Sequence, residues 1–321
     1  MFRPVELVWN ATMTHNGRAN MLYRLRRWRL RTFTAYGSGK PALYRLHDGR
    51  EFVVHPGDQL STAIAIEKRY EPLESRIVAK ILRPGDVALD IGANIGYYTA
   101  LCSACVGTQG TVLAFEPGEA TFSKLKTTIA LLGLCNVEPH ALALADESGF
   151  QDFVMSSSGS DAQQSLVDWD LLVGEKKLAR VGTVTLDEVV HDLNRHGKIP
   201  AFVKCDVEGA EGKVLKGARA LLDSASPPVF MVEINREGLA AQRSNASEIL
   251  RRFDGYRLYF TPLNSQEPKM RLLTSTNNVP DLINVVAFPS RGSYTRRIEA
   301  IEEYLLDGEG RVSARERSPR G

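Results

Sequence analysis

Two hydrophobic rhythms alternate through the middle of the chain. Short apolar runs of strand length, at 86–92, 110–117, 201–209 and 227–235, are bounded by glycine, proline or acidic residues. Stretches with helical spacing lie between them, at 95–106, 119–132 and 210–222. Near-continuous apolar strands separated by helices predict a parallel sheet covered on both faces. Residues 136–146 read as a third strand with its exit loop, and 149–156 alternate with period two, as an added strand does. A short strand running into a helix fits 183–193, a last helix and strand fit 238–261, and 282–289 closes the set. The polar run 156–165 has no periodicity; it reads as a surface loop or as a lid over a site.

The two ends depart from this pattern. LYRLRRWRLR, residues 22–31, interleaves Arg24, Arg26, Arg27, Arg29 and Arg31 with Leu25, Trp28 and Leu30. It reads as a basic helix, either solvated or docked on the domain through its Leu and Trp, or touching an anionic membrane lipid surface, glycan or nucleic acid. Residues 308–321 carry little apolar content and read as a disordered tail. The chain thus divides into a basic extension and lead-in (1–65), an α/β domain (66–290) and a C-terminal helix with its tail (291–321).

Composition adds mainly exclusions. With 321 residues, 43% apolar and 24% charged, the chain can bury a sizeable core. Lys and Arg number 40 against 38 Asp and Glu, so the net charge says little about partners; no nucleic-acid partner is expected. Nowhere do about 18 consecutive apolar residues occur, so no transmembrane helix is expected. No basic segment followed by an apolar one marks a leader. Four cysteines form no disulfide framework, and a reducing cytoplasm fits best. Cys102 and Cys105 read as small core residues of one helix. The oligomeric state has no signature.

In a doubly wound sheet, ligands bind beyond the carboxyl ends of the strands. Those ends carry an acidic and amide set: Asp90, then Gly92, Asn94 and Gly96; Glu116; Asp206 and Glu208; Glu233 and Asn235. A buried, unpaired carboxylate is costly, so something polar or cationic is expected to meet Asp90. The turn D-x-G-x-N-x-G departs from the dinucleotide pattern. Asn94 stands at the second glycine position and Tyr97 at the third, and Asp90 would repel a pyrophosphate. Glu116, one strand–helix–strand unit on, is placed to hold two ribose hydroxyls. A ribose beside a positive charge, with no phosphate, describes S-adenosylmethionine.

The runs GDVALDIGANIGYYTALCS, VLAFEPGEATFSKLKTTI, ALADESG, FVKCDVEGAEGKVLKGARALL and PPVFMVEIN together resemble the FkbM-type methyltransferase family. The likeness extends from about Glu71 to Phe288. It implies a class I, Rossmann-like fold: a mostly parallel seven-stranded sheet with helices on both faces and one reversed strand near the end. It also implies S-adenosylmethionine-dependent O-methylation of a hydroxyl on a sugar, glycan or natural product, without saying which. By matching position, Asp90, Gly92, Asn94 and Gly96 form the cofactor loop and Glu116 holds the ribose. Ala143–Asp146 would border the adenine, with Asp146 accepting from its amino group or serving only as a turn residue. Tyr70 and Glu71 fall in a lead-in segment that closes over the methionine part.

Methyl transfer to a hydroxyl needs near-attack geometry and a general base. The base is expected on the fourth core strand, at Asp206 first and Glu208 second. The structural alternative for both is charge complementing the following helix dipole. Lys204 shares the strand face of Asp206 and can pair with a carboxylate. Asp206, Glu208, Glu233 and Asn235 are hard oxygen ligands that would suit Mg²⁺, but no dense D-x-D-x-D spacing supports a metal, and none is assigned. His140 could reach the site, though a core or edge role fits it better. Two rival readings remain: a nicotinamide-dependent oxidoreductase or epimerase, and a non-catalytic binding module on the same fold.

Overall fold

A computed structural model describes residues 39–156, 164–165, 176–241, 244–261, 269–275, 279–280 and 282–306. The Arg-rich run 22–31, the tail 308–321 and most of the polar run 156–165 lie outside the described residues.

A hairpin of β1 (Ala42–Arg45) and β2 (Glu51–Val54) precedes helices α1 (Gln59–Glu67) and α2 (Pro72–Ile81). Then come β3 (Val87–Ile91), α3 (Tyr97–Val106), β4 (Thr111–Phe115), α4 (Glu119–Leu132) and β5 (Val137–His140). Next are β6 (Ala143–Leu144), β7 (Gly149–Ser156), β8 (Gln164–Ser165), β9 (Lys176–Val184) and α5 (Leu186–Arg195). Further on lie β10 (Pro200–Cys205), α6 (Glu211–Lys216), α7 (Arg219–Leu222), β11 (Val229–Asn235), α8 (Arg236–Ala241) and α9 (Ala246–Leu250). The series ends with β12 (Tyr256–Phe260), β13 (Met270–Leu272), β14 (Leu282–Pro289), a 3-10 helix (Thr295–Tyr304) and β15 (Leu305–Leu306).

The main sheet runs β5-β4-β3-β10-β11-β14-β12-β13-β15. β3, β4, β5, β10 and β11 are mutually parallel, and β14 runs antiparallel to β11 and β12. The order reverses at β3 and β10, which places a ligand crevice beyond their carboxyl ends. The stretch from β5 to β12 holds seven strands. β13 and β15 extend the sheet to nine among the described residues, and both run with β14, so the reversed strands number three rather than one.

Alternation sorts the strand side chains into two cores. Leu89, Ile91, Val203, Cys205, Phe230 and Val232 pack toward α5, α6 and α9. Ala88, Phe202, Val229 and Met231 pack toward α2, α3 and the 3-10 helix. Asp90, Lys204 and Glu233 share the parity of this second set, so the period of two turns all three toward α2 and α3.

Three local readings change. Residues 136–146 are not one strand. The chain leaves the main sheet after His140, and Ala143–Leu144 pair with Thr183–Val184 in a second sheet of order β6-β9-β7-β8. The helix over 210–222 breaks at Gly217, where a Cβ would lie 2.1 Å from the Ala145 carbonyl oxygen. The β1–β2 hairpin belongs to the lead-in and packs Phe52 and Val54 into the second core.

Candidate functional site

The loop after β3 is held from both sides. Gly92 N–H and Ala93 N–H donate to the Phe115 carbonyl at 3.0 and 2.9 Å, and Asp206 N–H donates to the Ile91 carbonyl at 3.0 Å. Gly92 has φ +80°, and a Cβ there would sit 1.8 Å from the Asp206 carbonyl oxygen. Only glycine permits that approach of the first loop to the fourth strand. Gly96 (φ +90°) stands just before α3, and a Cβ there would meet Leu125 at 2.8 Å.

Glu116 closes the loop from β4. Its Oε2 accepts from Asn94 N–H at 3.0 Å and its Oε1 from Gly118 N–H at 2.9 Å. Burial raises the carboxyl to about 7 against the pull of these two donors. Each oxygen accepts one bond and keeps capacity for another.

Asp90 is 1% exposed. Its Oδ2 accepts from Thr99 Oγ at 2.6 Å, while Oδ1 is buried with no hydrogen-bond partner. Burial pushes the carboxyl up, and Lys204 pulls it back. The cation expected beside Asp90 is therefore partly the chain's own. Lys204 pairs with Asp90 across the β3–β10 register and is itself 4% exposed. Its Nζ donates to Asp206 Oδ2 at 2.7 Å and stands 4.6 Å from the centroid of the Tyr98 ring. Burial acts to lower the Lys204 ammonium, but Asp206, Asp90 and Glu71 outweigh it and drive it above its usual range.

The lead-in segment reaches the same place. Glu71 adopts a left-handed backbone (φ 39°) at the start of α2 and accepts from the Tyr98 hydroxyl at 2.5 Å. Burial, with Glu74 next, raises its carboxyl to about 7. The Tyr70 ring packs edge-on against Tyr97 at 5.1 Å, and the Tyr97 hydroxyl donates to the Tyr70 carbonyl at 3.1 Å. Burial and Glu71 lift the Tyr70 phenol well above its ordinary value, with smaller contributions from Asp206, Glu233 and Glu208.

The loop after β10 is tightly wound. Glu208 has φ 52° and Gly209 φ +95°. Glu211, 0% exposed, staples the loop by accepting from Val207 N–H and Gly209 N–H at 3.1 and 3.2 Å through Oε1. Its Oε2 is buried without a hydrogen bond, and burial raises the group to about 7. Burial followed by Asp206 pushes both Glu208 and Glu233 well above the usual carboxyl range. Asn235 is used internally, its Oδ1 accepting from Gly238 N–H at 3.3 Å.

Asp90, Gly92, Asn94, Gly96, Glu116, Tyr70, Glu71, Asp206 and Glu208 thus converge on one edge of the sheet. The 143–146 segment follows a different path. Ala143 packs with Phe153 and Val181 in the second sheet, and among the described residues no hydrogen bond ties Asp146 to the loop after β3. His140 stacks on Phe115 at 4.9 Å, so its ring belongs to the sheet edge. Three contributors were not singled out as site residues: Tyr98, Thr99 and Glu211. Tyr98 and Thr99 directly follow the glycine turn in IGYYTA, one turn of helix from the residues already named.

No group of three His, Cys, Asp or Glu among the described residues is arranged to hold a metal ion. No described helix is long and apolar enough to cross a membrane.

The profile of the Methyltransferase FkbM domain matches residues 90–258, more than half of the chain. The chain belongs to the FkbM methyltransferase family. That membership removes the oxidoreductase reading. The hexuronic acid methyltransferase AglP of Haloferax volcanii is 31% identical over 163 residues, 50% of this chain and 60% of that protein. A protein-L-isoaspartate O-methyltransferase of Methanococcus aeolicus is 29% identical over 113 residues, 34% of this chain and 52% of that one. The chain spans 52–60% of the length of the curated relatives it matches. A solved FkbM methyltransferase from Methylobacillus flagellatus superposes with a TM-score of 0.40 at 14% identity, over 71% of this chain and 52% of that one.

Proposed function

We propose that this FkbM methyltransferase is an S-adenosylmethionine-dependent O-methyltransferase that modifies a hydroxyl of a sugar or a related polyhydroxyl natural product. The observation that carries the cofactor reading is Asp90 Oδ1, a buried acceptor with no partner at the strand-order reversal. Buried polar atoms are nearly always satisfied, so an orphan at a ligand crevice points to a donor supplied by the ligand. Asn94 Oδ1, in the same loop, is a second such atom. The donor set fits the cofactor: Asp90 receives its ammonium group and Glu116 its ribose hydroxyls. When bound, the cofactor supplies an electrophilic methyl group on a cationic sulfur.

The rest falls to the chain. Asp206 projects from the end of β10 with its side chain 24% exposed and its charge balanced by Lys204, and it is the acceptor for the hydroxyl proton. Burial raises the carboxyls of Glu208 and Glu233, at the same edge, well above the ordinary carboxyl range. The sugar reading draws on the name of the Haloferax relative.

Transfer of a labelled methyl group to a panel of neutral sugars, hexuronic acids and polyketide alcohols tests this directly. The expected result is labelling of at least one sugar, with Asp206→Asn reducing turnover by about 100-fold or more while cofactor affinity is kept. Unchanged turnover in that variant removes the base assignment. Cofactor binding with no labelled acceptor favours the binding-module reading.

A further inference from the structure

Lys204 is a fully buried lysine at the centre of the site, and neither the cofactor nor the proton-transfer role accounts for it. It stands on the strand face that carries Asp90 and Asp206, next to Asp90 in the β3–β10 register. Its ammonium group is fixed by Asp206 Oδ2 at 2.7 Å and by the Tyr98 ring at 4.6 Å. Tyr98 in turn donates to Glu71. One cation therefore serves carboxylates from three elements: β3, the lead-in to α2, and the end of β10.

We propose that Lys204 is a positioning residue, an internal counter-cation that lets Asp90 and Asp206 remain ionised side by side and thereby sets the affinity for the cofactor. This rests on the cofactor reading above and adds to it. With no cation between them, the buried Asp90 and the partly exposed Asp206 disfavour each other's charge, and one takes up a proton more readily as pH falls. A protonated Asp90 would be a poorer acceptor for an ammonium group. Lys204 is itself a weak base here, because the surrounding carboxylates hold its proton. The titratable groups facing it are Asp206 and Glu208 from the loop that follows its own strand, Asp90 from β3, Glu71 ahead of α2, and Tyr98 and Cys102 from α3.

The test compares wild type, Lys204→Met and the double variant Lys204→Met/Asp206→Asn in the full chain. S-adenosylhomocysteine affinity is measured by calorimetry from pH 6 to 9. Aspartate carboxyl titrations are followed by carbon-13 NMR without ligand. Wild type should show the pH dependence set by Glu116 and Glu71, whose carboxyls lie at about 7. In Lys204→Met the Kd should rise toward low pH by up to about tenfold per pH unit, the limit for one linked proton. An aspartate carboxyl should titrate at higher pH than in wild type. The double variant, with one carboxylate removed, should regain the wild-type profile. A Lys204→Met profile parallel to wild type, or unmoved aspartate titrations, overturns the proposal. The ligand-free titration decides the role of Lys204 even if wild type binds no S-adenosylhomocysteine, a result that would count against the cofactor reading alone. If Lys204→Met fails to fold while the double variant folds, the charge argument stands; if neither folds, Lys204 is a packing residue and the proposal fails.

Discussion

Glu211 carries one carboxyl oxygen that staples a loop and one that meets nothing. Its folded-state value of about 7 lies above the ordinary 4.5, because burial disfavours the charge. The native state therefore holds more protons than the unfolded chain between those values, and stability falls as pH rises through the window. The full effect is about 3 kcal/mol. Glu211→Gln keeps the stapling acceptor and removes the charge. Thermal melts should show the variant more stable than wild type at pH 8, by on the order of 2 kcal/mol, and the two nearly converging at pH 5. A variant less stable at pH 8, or a gap independent of pH, contradicts this account. Asp90 and Glu116 were legible from the sequence because a carboxylate at the tip of an apolar strand is anomalous wherever it occurs. The pairing of Lys204 with Asp90 was not legible. It depends on the register between β3 and β10, strands more than a hundred residues apart, and no local pattern encodes that.

At the level of elements, the hairpin at 42–54 left a readable mark. Asp48-Gly49 sits between alternating hydrophobic positions, with Gly49 at φ +88° and Leu46 N–H donating to the Arg50 carbonyl at 2.8 Å. An Asp-Gly pair in that setting is a strong short-range hairpin signal. The split of 136–146 between two sheets left none, since β6 pairs with a strand some forty residues on. The 3-10 helix is tied down by a long-range clamp. Arg297 donates to both carboxyl oxygens of Asp86 at 2.9 Å and to the Ile81 carbonyl at 2.7 Å, at the opposite edge of β3 from the site. Truncating one partner of a buried pair strands the other, which costs about 3–5 kcal/mol. Arg297→Ala should lose close to 3 kcal/mol in urea denaturation, with S-adenosylhomocysteine affinity unchanged under native conditions. A loss below about 1 kcal/mol would place the pair with ordinary surface bridges.

Over the whole molecule, the strand order brings five separate segments to one edge. β3 delivers Asp90 and the glycine turn, β4 delivers Glu116, β10 delivers Lys204 and Asp206, β11 delivers Glu233, and the lead-in delivers Tyr70 and Glu71. The parallel core was readable because each buried strand is nearly continuous in apolar residues; the two added strands at the far edge are too short to show such a pattern. The central claim is that this edge receives the cofactor through Asp90. Calorimetric titration of S-adenosylhomocysteine into wild type and Asp90→Asn at pH 7.5 tests it most directly. The account predicts saturable one-to-one binding to wild type and affinity at least about tenfold weaker in the variant, as expected when a charge-assisted hydrogen bond is lost. No binding to wild type, or equal affinity in the two proteins, would contradict it.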